Sequence, residues 1–325
     1  MSVRVHLLRP PDAPHLAYLR DQLRPDVQVT VDDLPPDGSD YDILVGGRPA
    51  RQQIEASPSL RALIIPFAGL PRETRALMLQ FPGVSVHNLH HNAVATAEMA
   101  VALMLAAAKA LVPNDQALRR HDWRPRYRSN EGMLLTGKTA LILGYGAVGG
   151  RVAKLCRGLG MYILATRRSV VKSSNGVIHP AGALPELLPR ADVLIITLPL
   201  TEETRGLLGK QELALLPPSA ILVNVGRAPV VDEIALYTAL RDGGLRAAAL
   251  DVWYAYPEDV PSRSDTPPSS FPFEDLDNVV MSPHRAGAGG SDKIERRRMT
   301  ALAALLNAAA SGDPLPNQVD VRAGY

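Results

Sequence analysis

Short apolar runs recur along the chain, and segments with the apolar spacing of amphipathic helices separate most of them. Runs that are apolar at almost every position are typical of strands in a parallel sheet that helices cover on both faces. The alternation of such runs with helical segments therefore predicts an α/β fold. In the first hundred residues we predict strands at 3–8, 27–31, 42–47, 60–69 and 84–88.

A second series of strands follows a long helix, predicted at 93–111, that is apolar nearly all round. This series has six strands with helices between most of them, which is the number in a Rossmann domain. The pattern therefore predicts two Rossmann-like domains, each with a doubly wound parallel sheet. The six strands are predicted at 137–146, 161–169, 191–200, 220–227, 247–253 and 278–284, a loop at 258–273 and a final helix at 291–310.

The composition gives no indication of a strongly charged partner. The 325 residues include 35 basic and 33 acidic side chains, which leaves a formal charge of only +2. A near balance of charge does not favour binding to nucleic acid or to a membrane surface. The lone Cys156 excludes an intrachain disulfide and fits a reducing compartment. Because no signal-peptide pattern opens the sequence, we expect a cytoplasmic protein.

A glycine loop marks the start of the second strand series. The segment "LILGYGAVGG" places Gly144, Gly146 and Gly149 in a G-x-G-x-x-G pattern between a predicted strand and a predicted helix. The first glycine permits a tight turn, the second lets a pyrophosphate approach the backbone, and the third lets helix and strand pack closely. Together with Ala147 and Val148 at the helix N-terminus, the loop predicts a dinucleotide site.

The end of the next predicted strand bears on which dinucleotide binds. An NAD site usually has an acidic residue there for the ribose hydroxyls, whereas this chain has Thr166, Arg167 and Arg168. Guanidinium groups suit a 2′-phosphate. The alternative is a pair of solvated surface arginines. The loss of the acid together with the gain of cations predicts that NADP(H) is preferred over NAD(H).

Three histidines, His87, His90 and His91, lie close together in "VHNLHHNA". Metal binding is one interpretation, and a turn beside the substrate is the other. No neighbouring acid or cysteine completes a plausible ligand set. We therefore predict no metal site here.

Several motifs in the same order resemble those of the D-isomer-specific 2-hydroxyacid dehydrogenases. They are the hinge-helix segment "TAEMAVALML", the long segment from "LPLTEETRGLLGKQELALLPPSAILVNVGRAPVVDEIALYTAL", then "LDVW", "MSPH" and the tail "PNQVDVRAGY". The resemblance implies a homodimer that transfers hydride between a nicotinamide and a small 2-oxo or 2-hydroxy acid. It also implies that a nucleotide domain, here 104–287, is inserted into a discontinuous flavodoxin-like substrate domain, here 1–103 and 288–325, with the active site in the cleft.

The resemblance also assigns roles to single residues. Arg227 holds the substrate carboxylate and polarises its carbonyl, and His284 is the general acid and base. Asp251 anchors the nicotinamide carboxamide. On the substrate side, the resemblance points to the backbone N–H groups of Ala68 and Gly69 and to Asn92. Further cofactor contacts are expected from Leu198, Pro199, Val225, Gly226 and Gly287.

Tyr256 departs from the pattern of this family. In "AALDVWYAYPED" a Tyr-Pro pair stands where the family usually has Glu-Pro, whose carboxylate hydrogen-bonds the catalytic histidine. Formate dehydrogenases, which also resemble this stretch, have a glutamine there. We expect Tyr256 to orient His284 or to meet the substrate itself. Without a carboxylate partner, the pKa of His284 should lie near or below its ordinary value of about 6.5.

Two other functions fit the same sequence. One is oxidation of a one-carbon or inorganic acid, as in formate or phosphite dehydrogenases, although such oxidations usually use NAD. The other is a non-catalytic protein that senses dinucleotides with the same fold. Retention of both Arg227 and His284 favours an enzyme.

Overall fold

The computed structural model describes residues 2–33, 38–128, 132–168, 177–287 and 291–325. Contacts along the chain separate two compact units. The first comprises Met1–Asn92 and Gly289–Tyr325, and the second comprises Ala93–Ala288. The predicted boundary at residue 103 lies eleven residues later, within the long apolar helix.

The first unit is built on a parallel sheet of five strands in the order β2-β1-β3-β4-β5. This 2-1-3-4-5 order is that of flavodoxin-like folds. Helices α1 and α10 pack against each other. The strands are β1 (Val3–Leu7), β2 (Val27–Val31), β3 (Ile43–Val45), β4 (Ala62–Ile65) and β5 (Ser85–Asn88), and the helices are α1 (Ala13–Arg20), α2 (Arg51–Glu55), α3 (Arg72–Met78) and α10 (Asp292–Ser311).

The second unit is built on a parallel sheet of seven strands in the order β12-β11-β10-β9-β6-β7-β8. The strands are β6 (Thr139–Leu143), β7 (Tyr162–Thr166), β8 (Ile178–His179), β9 (Val193–Ile196), β10 (Ile221–Asn224), β11 (Ala247–Leu250) and β12 (Val279–Met281). The helices are α4 (Ala93–Ala108), α5 (Leu111–Arg119), α6 (Ala147–Gly158), α7 (Leu184–Leu187), α8 (Lys210–Ala214) and α9 (Glu233–Arg241). The predicted α/β fold with two doubly wound parallel sheets is confirmed.

The count of six strands in this unit is wrong by one edge strand. The additional strand, β8, is two residues long and pairs only with β7. A segment this short carries no readable alternation of apolar residues, which is why the sequence pattern did not reveal it.

Burial explains why the central strands have nearly continuous apolar sequences. Every residue of β9 and β10 is buried, because helices cover both faces of the sheet. The strand order reverses between β6 and β9, and in such sheets ligands bind outside the carboxyl ends of the strands at this switch point. The carboxyl ends of β6, β7, β9, β10, β11 and β12 carry the residues described below.

The predicted helix at 93–111 is two helices. It ends at Ala108, and Ala110 has a left-handed φ of 48° before α5 begins. The two axes are bent by 64°. Along the described residues, no single helix has the length and apolar character to cross a membrane, and only the bent α4–α5 pair passes that test jointly. Helix α4 packs on α6, β10 and β11.

Candidate active site

The glycine loop joins β6 to α6 as the sequence predicts. Gly144 has a left-handed φ of 94°, which favours glycine at this position. Beyond the turn, the N–H groups of Gly146, Ala147 and Val148 donate to no acceptor among the described residues. A Cβ on Gly146 would meet open space. The loop therefore presents free N–H donors and room at a helix N-terminus, which fits a dinucleotide pyrophosphate.

At Gly149 it is close packing, and not the backbone angles, that requires a glycine. A Cβ built on this residue would lie 2.0 Å from the carbonyl oxygen of Gly144. Helix α6 approaches the loop this closely only because Gly149 has no side chain. The third glycine of the pattern thus has the close-packing role that the sequence assigns to it.

Thr197, after β9, supports the loop from the next strand. Its hydroxyl lies 2.7 Å from the carbonyl oxygen of Gly144 and 3.1 Å from that of Leu143. A Cβ on Gly226 would lie 2.6 Å from the carbonyl oxygen of Leu198. The ends of β9 and β10 therefore lie side by side at the carboxyl edge.

Two more of the predicted cofactor residues follow these two strands. Val225 is buried, and its N–H donates to the carbonyl of Ile196. Pro199 is exposed, and its carbonyl accepts from the hydroxyl of Thr204. Val225 directly follows β10 and Pro199 stands three residues beyond β9, so both lie at the carboxyl edge of the sheet, and their contact with a cofactor stays a prediction.

The carboxyl end of β7 is hydrogen-bonded to the glycine loop. The carbonyl of Thr166 accepts from the N–H groups of Gly144 and Tyr145 at 3.2 and 3.0 Å. Arg167 and Arg168 follow directly, and both are exposed. The backbone N–H of Arg167 donates to the carbonyl of His179 in β8. The arginine pair therefore directly follows Thr166, which is hydrogen-bonded to the glycine loop.

Arg227 is held by a turn that Asn224 organises. The buried Asn224 side chain accepts from the N–H of Gly226 at 3.0 Å and donates to the carbonyl of Arg227 at 3.2 Å. Asn224 ends β10, so its amide fixes the backbone that carries the guanidinium. This residue was not identified from the sequence.

The Arg227 guanidinium has no carboxylate partner in the described part of the chain. One of its N–H groups donates to the carbonyl of Gly226 at 2.7 Å. Burial lowers the pKa of Arg227 from its ordinary value, because burial disfavours the charged form. A half-buried cation without an internal counter-ion is suited to an anionic ligand.

Asp251, after β11, is fully buried and holds the segment that carries His284. One carboxylate oxygen accepts from the hydroxyl of Ser282 at 2.5 Å and from the N–H of Arg285 at 2.8 Å. The other accepts from the N–H of Ala286 at 2.8 Å. The observed contacts of Asp251 are thus internal, and its contact with a nicotinamide stays a prediction, as does that of half-buried Gly287.

His284 lies in a strained turn after β12. Its φ is 55°, an uncommon value outside glycine, and its N–H donates to the carbonyl of Ser282 at 3.0 Å. Although the residue is exposed as a whole, partial burial of its ring lowers the pKa of the imidazole. The positive charge of Arg227 lowers this pKa further, and Asp251 acts in the opposite sense. The direction agrees with that predicted from the sequence.

Tyr256 lies beside His284, with ring centroids 5.5 Å apart and planes tilted by 51°. The tyrosine is 44% exposed, and its hydroxyl oxygen accepts from the backbone N–H of Trp253 at 3.0 Å. Burial raises the pKa of Tyr256, although the nearby charge of Arg227 acts to lower it. A neutral tyrosine therefore lies beside the imidazole at the position where the family usually has a carboxylate.

Two neighbouring aromatic residues have structural contacts. The buried indole of Trp253 donates to the carbonyl of Ser282 at 2.8 Å, and the ring packs edge-on against Phe273. The hydroxyl of Tyr254 donates to the carbonyl of Val231 at 3.0 Å. Both side chains therefore donate their polar hydrogens to backbone carbonyls of the second unit.

The predicted substrate residues Ala68, Gly69 and Asn92 belong to the first unit. The carbonyl of Ala68 accepts from the side chain of Asn88 at 2.7 Å. The N–H groups of Ala68 and Gly69 donate to no acceptor within the described ranges. Asn92 is half-buried and directly precedes α4. The two N–H donors are thus available to an anion, as the resemblance implies.

The histidine cluster has other partners. His87 is buried and bonded to the carbonyl of Pro316 and the hydroxyl of Ser85. Burial, with Arg298 and His90 nearby, lowers the pKa of His91 to about 4. The described residues contain no group of three or more side chains placed to hold a metal ion. The absence of a metal stays a prediction.

Comparison with known proteins identifies relatives of this chain. The sequence profile described as "D-isomer specific 2-hydroxyacid dehydrogenase, NAD binding domain" matches residues 101–286. A glyoxylate reductase of Aeropyrum pernix is 40% identical over 237 residues, which are 70% of this chain and 66% of the relative. A D-3-phosphoglycerate dehydrogenase of Methanocaldococcus jannaschii is 30% identical over 289 residues, 87% of this chain and 52% of the relative.

The chain thus spans between about half and two thirds of the length of these two curated relatives. Among solved structures, the fold is similar to that of a D-isomer specific 2-hydroxyacid dehydrogenase from Xanthobacter autotrophicus Py2, solved in complex with NADPH and MES. The two chains superpose with a TM-score of 0.80 and 27% identity, and the match covers 100% of each.

Proposed function

Since the chain belongs to the D-isomer specific 2-hydroxyacid dehydrogenase family, we propose that it reduces small 2-oxo acids to 2-hydroxy acids with NADPH. The observation that supports this most is the grouping of Arg227, Tyr256 and His284 at the carboxyl ends of adjacent strands. Arg227 acts to lower the pKa of both Tyr256 and His284, and Tyr256 acts to raise that of Arg227. The Ala93–Ala288 unit binds the dinucleotide through its glycine loop.

Each side chain has a separate task in this reaction. Arg227 binds the substrate carboxylate and withdraws electron density from the C2 carbonyl, so that C2 becomes more electrophilic. Protonated His284 donates a proton to the oxygen at C2 as negative charge develops there. Tyr256 donates a hydrogen bond to a substrate oxygen. The bound cofactor supplies the hydride that C2 receives.

Glyoxylate and hydroxypyruvate are the first substrates to test, because a curated relative is a glyoxylate reductase. Purified protein is mixed with a panel of 2-oxo acids and with NADPH or NADH, and the nicotinamide absorbance is followed. We expect oxidation of NADPH with at least one 2-oxo acid. Activity only in the reverse direction with formate or phosphite would contradict the proposal, and so would cofactor binding without turnover of any substrate.

The preference for NADPH rests on the arginine pair after β7. Arg167 and Arg168 follow a residue that bonds the glycine loop directly, and no acidic side chain occupies this strand end. The ribose 2′-phosphate of NADPH would meet these cations. The Xanthobacter relative was solved with NADPH, which supports the same preference.

Arg167→Asp should reverse the cofactor preference. A charged hydrogen bond contributes about 1.5–3 kcal/mol, or roughly one to two decades in affinity, so the variant should bind NADPH at least tenfold more weakly. The introduced carboxylate should improve NADH binding through the ribose hydroxyls. Nicotinamide fluorescence gives the dissociation constants of NADPH and NADH for the wild type and the variant, which test this prediction. Equal affinity of the wild type for the two cofactors would mean that the arginines are surface charges only.

The rate of reduction should fall as pH rises through the lowered pKa of His284. Burial and Arg227 place that pKa below its ordinary value, and only the protonated imidazole can donate to the substrate. The descending limb of kcat/KM against pH should therefore lie below about 6.5 in the wild type. Tyr256→Glu puts a carboxylate beside the ring, which raises the pKa and moves the limb to higher pH.

Tyr256→Phe is the matched control, because it keeps the ring and removes only the hydroxyl. This variant should lower the rate without moving the limb upward. Superimposable pH profiles for the wild type and both variants would show that Tyr256 reaches neither the histidine nor the substrate.

A homodimer is the oligomeric state that we propose. Large apolar side chains are exposed along the stretch from α5 to β6, namely Leu111, Leu118, Trp123, Tyr127 and Leu134. Clusters of exposed apolar side chains favour a protein interface. Light scattering should give twice the chain mass of 35.0 kDa, and a mass of one chain would contradict the dimer.

A further inference from the structure

Trp253 bonds Tyr256 directly and also bonds the turn that carries His284. Its indole Nε1–H donates to the carbonyl oxygen of Ser282 at 2.8 Å. The same carbonyl accepts from the N–H of His284 at 3.0 Å, and this bond closes the turn in which His284 has its left-handed φ. The backbone N–H of Trp253 donates to the hydroxyl of Tyr256 at 3.0 Å.

The second of these bonds determines what the Tyr256 hydroxyl can do. Because its oxygen already accepts from a backbone N–H, its own proton is left to be donated. The hydroxyl proton of Tyr256 has no acceptor among the described side chains near it, which are Arg227, Asp251 and His284. The hydroxyl is therefore oriented as a hydrogen-bond donor.

Trp253 is itself rigidly held. Only 6% of its surface is exposed. Its ring packs edge-on against the fully buried Phe273, with the ring centroids 6.1 Å apart. A side chain with two χ angles in a packed site loses little further freedom when it forms these bonds. Both donors therefore come from a fixed point in the core of the second unit.

We infer that Trp253 is the positioning residue of this site: its indole N–H holds the His284 turn, and its backbone N–H orients the Tyr256 hydroxyl as a donor to substrate. This inference rests on the proposed function. It adds a specific cause for the geometry of two reacting groups, and it assigns to the substrate a hydrogen-bond acceptor within reach of Tyr256, such as a carboxylate or carbonyl oxygen.

Trp253→Phe separates the two bonds, because it removes the indole N–H and leaves the backbone donor in place. With NADPH and the best 2-oxo acid, kcat should fall about three- to tenfold, the factor expected for one neutral hydrogen bond. The KM and the dissociation constant of NADPH should change by less than about twofold, because no substrate or cofactor contact is removed.

A second readout does not depend on turnover. A loosened turn lets water reach the imidazole of His284 and weakens the influence of Arg227 and Asp251 upon its pKa. The pKa of His284, followed by NMR in the cofactor-free protein and assigned with His284→Gln, should therefore rise toward its ordinary value in Trp253→Phe. The descending limb of the pH profile should move upward by the same amount.

Phe273→Leu is the matched control, because it weakens the packing of the same aromatic cluster and removes no hydrogen bond. Both variants should lower the melting temperature, but Phe273→Leu leaves both hydrogen bonds of Trp253 in place, so its loss of kcat and its shift in the pKa of His284 should be clearly smaller than those of Trp253→Phe. Equal losses of kcat in the two variants would overturn the inference, since Trp253 would then act through packing alone. Unchanged kcat and pKa in Trp253→Phe would overturn it as well.

The outcomes also separate this inference from the proposed function. A wild type that reduces no 2-oxo acid contradicts the function, whereas the pKa of His284 still tests the role of Trp253. If Trp253→Phe fails to fold, the sulfur analogue of tryptophan, β-(3-benzothienyl)alanine, removes only the N–H. Trp123 is the only other tryptophan, so the analogue is introduced into Trp123→Phe protein and compared with the same protein carrying tryptophan.

Discussion

Replacing Arg227 by alanine should lower kcat/KM for 2-oxo-acid reduction by about 10³-fold, while NADPH binds nearly as tightly as before. Loss of a single donor to a developing oxyanion costs roughly 10²–10³ in rate, and this variant also loses the charge that holds the carboxylate. In the proposed function the cofactor is held by the glycine loop and the arginine pair, which the substitution leaves in place. Steady-state kinetics and fluorescence titration measure the two effects separately.

The fold should tolerate this substitution. The guanidinium of Arg227 bonds only the carbonyl of Gly226, and no carboxylate in the described part of the chain pairs with it. Its removal therefore leaves no unpaired buried charge, and the melting temperature should not fall. Arg227→Lys keeps the charge but loses the planar fork, so it should recover only part of the rate. Normal activity in Arg227→Ala would remove this residue from the mechanism.

Gly149→Ala should damage the cofactor site from a position that touches no substrate. The new Cβ would lie 2.0 Å from the carbonyl oxygen of Gly144, so helix α6 has to move away from the loop. Overpacking of this kind costs about 1–3 kcal/mol, and the displaced N–H groups should weaken NADPH binding by more than about tenfold. Thermal unfolding and cofactor titration measure both consequences.

Gly150→Ala is the control on the same helix. A Cβ there meets only the ring of Tyr145, at 3.9 Å, and alanine is a better helix former than glycine by about 0.5–1 kcal/mol. The neighbouring substitution should therefore stabilise the protein and leave NADPH binding intact. Similar effects of the two substitutions would show that α6 does not pack on the loop as closely as described.

The sequence was most informative where one residue type is demanded by a local constraint. Gly144, Gly149 and Gly226 could be read from spacing or resemblance because a backbone angle or a close approach admits only glycine. The central strands could be predicted because full burial makes their sequences continuously apolar. The direction of the His284 pKa was predicted from one local fact, the absence of a carboxylate at Tyr256, whereas the structure shows burial of the ring as its main cause.

The sequence was least informative about side chains that bond the backbone of a distant segment. Asn224 and Ser282 are ordinary polar residues at strand ends, and their roles depend on which carbonyl or N–H faces them after folding. Nothing in the sequence indicates the role of Trp253, whose indole bonds the carbonyl of Ser282, 29 residues later. The break after Ala108 was also missed, because the apolar pattern continues through it and only the backbone of Ala110 changes.

The most direct test of the central claim follows the hydride itself. NADPH carrying deuterium at the transferable position is incubated with the protein and a 2-oxo acid such as glyoxylate, and the product is analysed by mass spectrometry. The account predicts that the wild type forms a 2-hydroxy acid with one deuterium at C2. Arg227→Ala should form this product about 10³-fold more slowly. A wild type that binds NADPH but yields no labelled hydroxy acid from any 2-oxo acid would contradict it.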